Sequence, residues 1–199
     1  MWSAQYPSLR DKRVLITGGG SGIGEFIVEG FAAQGARVAF IDVQADPSRA
    51  VLARLAGATH GVRFIHQDLT DIEGTQTAIA GLSEEWDGVD ILVNNAANDD
   101  RHRVADITRE YWDDRLAVNL RHYFFCAQSV LPAMKAAARG VIINVGSISW
   151  HLALPDLVVY QTAKAGIEGL TRAMARDLGV DGIRVNCVVP GGVRTPRQV

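Results

Sequence analysis

A chain of 199 residues, 48% hydrophobic and 21% charged, has the composition of a globular domain with a sizeable buried core. Its formal charge of −2 lacks the positive field that draws nucleic acid, so no nucleic-acid partner is expected. No run reaches the roughly 20 apolar residues of a spanning helix, and the opening MWSAQYPSLRDKR has no apolar stretch behind a basic end, so neither membrane nor signal peptide is expected and the location reads as cytoplasmic.

In chain order, Arg13–Thr17 is a short apolar run that ends in glycines and reads as a strand. Residues 23–34 follow, with Ile23, Phe26, Ile27, Gly30 and Phe31 at helical spacing. Gly35 then supplies the positive-φ residue that a helix end often requires. Further strands are expected at Arg37–Asp42, Val62–His66, Val89–Val93, Gly140–Val145 and Ile183–Val188. Helical patterns separate them at about 71–86, 108–136 and 158–178. Strands rich in Val and Ile on both faces suit a parallel sheet covered on both sides. Alternation throughout implies right-handed βαβ units. The expected architecture is a doubly wound Rossmann sheet in three αβα layers, one domain over residues 1–199. Its ligand should lie beyond the carboxyl ends of the strands.

Cys126 and Cys187 sit in apolar segments without Cys-x-x-Cys spacing and read as buried reduced thiols. The five histidines show no paired ligand spacing, so no metal is expected.

Thr17-Gly-Gly-Gly-Ser-Gly-Ile-Gly24 joins the first strand to the first helix. Glycines there admit a pyrophosphate to the backbone, and the helix N-terminus offers free N–H groups and a positive dipole. Gly18, Ser21, Gly22, Ile23 and Gly24 are assigned to that cradle. Eighteen residues on, Asp42 ends the second strand. A carboxylate there accepts from adenosine ribose hydroxyls and repels a 2′-phosphate, and Val43 and Gln44 offer that phosphate no cation, so NAD is favoured over NADP. Asp68, with Leu69 beside it, ends the third strand and could receive the adenine amino group. Asn95 and Ala96 follow Asn94 at the end of the fourth. These amides could line the adenosine cleft or pin neighbouring strands, and Asp and Asn also end strands for turn reasons alone.

Tyr160-Gln-Thr-Ala-Lys164 places a phenol and an ammonium on one helix face. A free Tyr ionises only near pH ~10, and a nearby cation lowers that value enough to make a base. Ser147 follows the fifth strand and could hydrogen-bond a substrate oxygen beside Tyr160. Asn119 is an awkward residue for the middle of a long helix; buried, it could kink that helix and hold a water leading from Lys164. An isolated Tyr-x-x-x-Lys is often just an exposed pair. In chain order, however, the glycine loop, Asp42, Asn119, Ser147, Tyr160/Lys164 and Pro190-Gly-Gly-Val-Arg-Thr195 closely resemble the short-chain dehydrogenase/reductase family across essentially the whole chain.

The resemblance implies an oxidoreductase with Asn119, Ser147, Tyr160 and Lys164 as catalytic tetrad and Lys164 doubling as a ribose ligand. It also implies that Pro190, Val193 and Thr195 lie against the nicotinamide, and that the two long helices pack between subunits of a dimer or tetramer. Segments 94–102 and 146–152, the opening Tyr6-Pro-Ser-Leu, Asn119–His122 and the ending Thr195-Pro-Arg-Gln198 resemble a sugar-oxidising branch of the family. That implies a cyclic pentose, D-xylose first, oxidised at its anomeric carbon to an aldonolactone. Asn98, Ser147, Ser149, Trp150 and Tyr160 are the expected sugar contacts, with His151 adding a polar one. Trp150 and His151 could equally pack a loop or a subunit contact.

Ala97 departs from the family's usual Asn-Asn-Ala-Gly, which puts the local backbone in question. Family members also continue beyond this point through a substrate-covering loop and a last strand, so a C-terminally short form with weakened turnover and a bare sheet edge is expected. Other sugars, polyols or secondary alcohols remain open as substrates, as does a non-catalytic NAD-binding module. A nucleotide-sugar epimerase or dehydratase is disfavoured by the glycine spacing.

Overall fold

The computed structural model describes residues 4–195. Six parallel strands form one sheet in the order β3-β2-β1-β4-β5-β6. They are β1 Arg13–Thr17, β2 Arg37–Asp42, β3 Val62–His66, β4 Ile91–Asn94, β5 Gly140–Val145 and β6 Ile183–Val188. Reversal of strand order between β1 and β4 opens a crevice at the carboxyl ends, where this kind of sheet binds its ligand.

The strands form because their side chains are wanted on both faces. Leu15, Ala39, Ile41, Leu92 and Ile142 face one core with α3 (Ile72–Trp86), α5 (His122–Ala136) and α6 (Val158–Leu178). Val14, Ile16, Val38, Phe40 and Val93 face the other, with α1 (Gly22–Ala33) and α2 (Ala45–Arg54). The result is the expected three-layer arrangement.

The observed elements depart from the sequence reading in three places. The fourth strand begins two residues later than expected, at Ile91, and just before it Asp90 bonds Arg13 through both its backbone and its carboxylate. The polar, proline-bearing stretch 45–54, for which no helix was expected, forms α2. Pro47 sits in its first turn, where the missing N–H costs nothing, and Val51 fills the core. The expected helix 108–136 is α4 (Arg109–Leu116) and α5 joined by one π turn, Ala117–Arg121. Gly35 has φ +74 after α1, as its position required. Ala97 stays outside the positive-φ region, so its methyl imposes no backbone strain.

Candidate active site

Thr17, Gly18, Asn95 and Ala96 meet where β1 and β4 end side by side. The buried Thr17 Oγ1 accepts from the N–H groups of Asn95 (2.9 Å) and Ala96 (3.1 Å). The Asn95 amide donates back to the carbonyls of Thr17 and Gly18. The expectation that amides here pin strands holds for Asn94 as well: its Nδ2 donates to Asn144 Oδ1 on β5 and to the Tyr123 carbonyl.

The glycine loop is packed hard on three sides. A Cβ on Gly18 would fall 2.7 Å from Ala96 Cα, and one on Gly24 would fall 1.7 Å from the Gly18 carbonyl oxygen. At Gly20 it would strike Ser48 and Asp42. Gly22 differs: its nearest neighbour would be Thr195 Cγ2 at 3.9 Å, so its open side faces the segment after β6. No side chain caps α1, whose flanking Ser21 is exposed and extended. The first-turn N–H groups, beside Ile23, thus lack a side-chain cap next to the open side of Gly22, where a helix N-terminus favours an anion. These residues fit a dinucleotide pyrophosphate.

Asp42 is buried at the end of β2, where Gly20 N and Gln44 N each donate to one of its carboxylate oxygens at 2.8 Å. Asp68 Oδ1 accepts from Thr70 N and Oγ1, and the carboxylate is exposed beside the buried Leu69. Thr195 is buried against the loop, while Val193 is exposed and the Pro190 carbonyl accepts from Ile148 N at 3.1 Å. The remainder of the ending motif, Pro196-Arg-Gln198, lies outside the described residues.

At the end of β5 the second half of the site assembles. Lys164 is 1% exposed, and its ammonium donates to the Val145 carbonyl (2.7 Å) and to Tyr123 Oη (3.1 Å). Tyr123 Oη donates in turn to that same carbonyl. Burial pulls the Lys164 ammonium down to about 7, with Cys187 and Asp99 opposing. Burial also holds the Tyr123 phenol well above its ordinary value. The half-buried Tyr160 ring centroid lies 5.5 Å from Lys164 Nζ. Two residues beyond Val145, Ser147 Oγ donates to Ser149 Oγ (2.9 Å) and accepts from Ser149 N (3.1 Å).

Asn119 sits within the π turn, fully buried, as its poor helix propensity foretold. Its amide is engaged by the Asn98 backbone: Oδ1 accepts from Asn98 N (2.8 Å) and Nδ2 donates to Asn98 O (3.0 Å). Trp150 and His151 both reach Glu168 Oε1, at 2.8 and 2.9 Å, with their rings 3.8 Å apart. Their polar edges are thereby fixed on α6. Cys126 is buried, but Cys187 is only half-buried on the edge strand, which corrects the expectation for that thiol. Among the described residues, no three His, Cys, Asp or Glu come together as metal ligands, and no helix is long and apolar enough to cross a membrane.

Thr17, Tyr123 and Glu168 are the neighbours that sequence reasoning missed. Thr17 opens the glycine motif and so carried a positional signal.

The model of the short chain dehydrogenase family matches residues 12–199. The chain belongs to that family. D-xylose 1-dehydrogenase of Caulobacter vibrioides (strain NA1000 / CB15N) is 57% identical over 198 residues, covering 100% of this chain and 78% of that protein. A Rhizobium meliloti (strain 1021) protein described as "Probable galactose dehydrogenase GalD" is 48% identical, covering 98% of this chain and 77% of that one. Among solved structures, a metagenomic short-chain oxidoreductase in complex with NADP superposes with a TM-score of 0.87 at 30% identity. It covers 94% of this chain and 84% of its own. The chain is therefore an oxidoreductase of a family that binds a nicotinamide cofactor and acts on small-molecule alcohols.

Proposed function

We propose that this chain is the cofactor-binding and catalytic unit of an NAD-dependent aldose dehydrogenase, D-xylose being the first candidate, that yields an aldonolactone. The observation that carries this reading is Tyr160 beside the buried Lys164, whose ammonium bonds the end of β5 two residues before Ser147, together with a glycine cradle open toward Thr195. The 57% identity to a D-xylose 1-dehydrogenase supports the choice of sugar.

When bound, the nicotinamide supplies the hydride acceptor. The pyrophosphate fits the α1 N-terminus beside Gly22, with Thr195 opposite. Asp42, locked by Gly20 and Gln44, sets a fixed negative charge where a 2′-phosphate would otherwise sit, which supports NAD over NADP. Asp68, Asn95 and Ala96 complete the adenosine side.

Tyr160 acts as base and receives the proton of the anomeric hydroxyl on its phenolic oxygen, while the hydride leaves the same carbon and a C=O bond forms. The charge of Lys164 favours the phenolate. Ser147, held by the Ser149 N–H, turns its one O–H from Ser149 Oγ to the reacting oxygen. Asn98, clamped by Asn119, offers its amide to the sugar hydroxyls, and Trp150, held by Glu168, provides an apolar wall. By resemblance, α4–α5 and α6 pack against a second copy; exposed Phe124 and Val158 on them support a homo-oligomer.

The test is NADH formation by the protein carrying this chain, across aldoses and polyols, with NAD and NADP side by side. D-xylose oxidised with NAD supports the proposal. Activity confined to a polyol or to NADP overturns the corresponding part.

A further inference from the structure

α6 carries both Tyr160 and Lys164, yet its own N-cap position holds Leu157, which has no side-chain acceptor to offer. The free N–H groups of a helix's first turn need a partner, and without one that turn frays. Gln161 N bonds the Leu157 carbonyl at 2.8 Å and starts the regular ladder. The N–H of Val159, immediately before Tyr160, instead donates to Nε2 of His102 at 3.2 Å. His102 lies 57 residues away, on the segment that follows β4.

Four further contacts hold that residue. Its Nδ1 meets Tyr111 Oη on α4 at 2.9 Å and the Asp100 carbonyl at 3.1 Å. The Tyr111 ring meets it edge-on, with centroids 5.2 Å apart. Its backbone N–H donates to the Asp156 carbonyl at 2.9 Å. Arg101 strengthens the same seam by donating to the Pro155 carbonyl at 2.9 Å. Because Nε2 accepts from a backbone N–H, the proton of the neutral ring is on Nδ1.

We propose that His102 is a positioning residue: it caps α6 from a distant segment and so fixes the helical turn that presents Tyr160. The geometry links the site's parts in one chain. Asn119 grips Asn98 at the start of the 98–102 segment, and His102 grips α6 at its end. The segment expected to touch the sugar thus spans the two elements that carry Asn119 and Tyr160. The catalytic meaning of the cap rests on the reading of Tyr160 as the base; the cap itself does not.

The experiment compares the unaltered protein with His102→Phe, which keeps the ring's bulk but has no acceptor, and His102→Gln, whose side-chain oxygen can reach the place of Nε2. Amide hydrogen exchange across 157–161 is measured first. The expected result is roughly fivefold faster exchange at Val159 in His102→Phe, the size of effect that one lost cap carries, and recovery in His102→Gln. Turnover should follow the same order, with kcat lowered about fivefold in His102→Phe and KM for NAD unchanged. Equal exchange in all three forms overturns the proposal, as does a His102→Gln form that behaves like His102→Phe. If exchange changes as expected while no form oxidises a sugar, the cap stands and the aldose reading falls.

Discussion

Asn119 and Asn98 are joined by two hydrogen bonds, a side-chain amide set against the backbone N–H and carbonyl of one residue at 2.8 and 3.0 Å. A π turn widens the helix there, and this is the local distortion that lets an interior helical residue turn its amide onto a neighbouring segment. Asn119→Leu removes both of these hydrogen bonds to the Asn98 backbone. The expected loss is on the order of 2 kcal/mol of stability, since unmade hydrogen bonds at buried groups cost more than made ones contribute. Sugar KM should rise along with it. Thermal unfolding and steady-state kinetics check both; an unchanged KM would separate Asn98 from the sugar.

Tyr160→Phe removes the proposed base and leaves Lys164 in place, bonded to Val145 and Tyr123. Turnover should vanish while NAD affinity, measured by cofactor fluorescence, stays close to that of the unaltered protein. Retained turnover would dismiss Tyr160 from its role.

Tyr123→Phe is the complementary variant. It deletes one of the two acceptors of Lys164 and a donor to the Val145 carbonyl, with the ring kept. The expected cost is about 1 kcal/mol of stability, one ordinary hydrogen bond, and a several-fold lower kcat with NAD affinity preserved. A kcat equal to that of the parent would mean that the Val145 carbonyl alone orients the ammonium.

The sheet was legible because its inner strands are near-continuous apolar runs, while the edge strands β3 and β6 mix apolar with polar residues. α2 was not, since its helix is held by a single buried stripe around Val51 within a polar sequence. At the site, residues tied to local motifs, such as Gly22 and the Tyr160/Lys164 pair, could be picked out from spacing. Tyr123, Glu168 and His102 could not, because each acts across 18 to 57 residues of separation. Only the folded chain brings Tyr123 to Lys164, Glu168 to Trp150, or His102 to the start of α6.

Asp42→Ala should act twice. It removes the charge set against a 2′-phosphate and frees the N–H groups of Gly20 and Gln44, which now donate to it. NAD affinity should fall roughly tenfold, the loss of one good charge-assisted contact, while NADP affinity falls less or rises. The ratio of kcat/KM for the two cofactors is the measurement. An unchanged ratio would take Asp42 out of the ribose site.

His122 makes acid sensitivity predictable. Burial pushes its imidazole down to about 3, with the Ala117 backbone opposing and the charge of Lys164 adding to the fall. Between that value and the ordinary histidine range near pH ~6.5, the unfolded chain binds a proton that the folded chain excludes. Its contribution to stability is therefore complete above that range and is lost as pH falls toward 3. His122→Leu removes the titrating group but keeps an apolar side chain beside Tyr123. In urea titrations at stepped pH, the midpoint of the unaltered protein should drop more steeply below pH ~6.5 than that of the variant. Parallel curves would show that the ring binds its proton as readily in the folded chain as in the unfolded one.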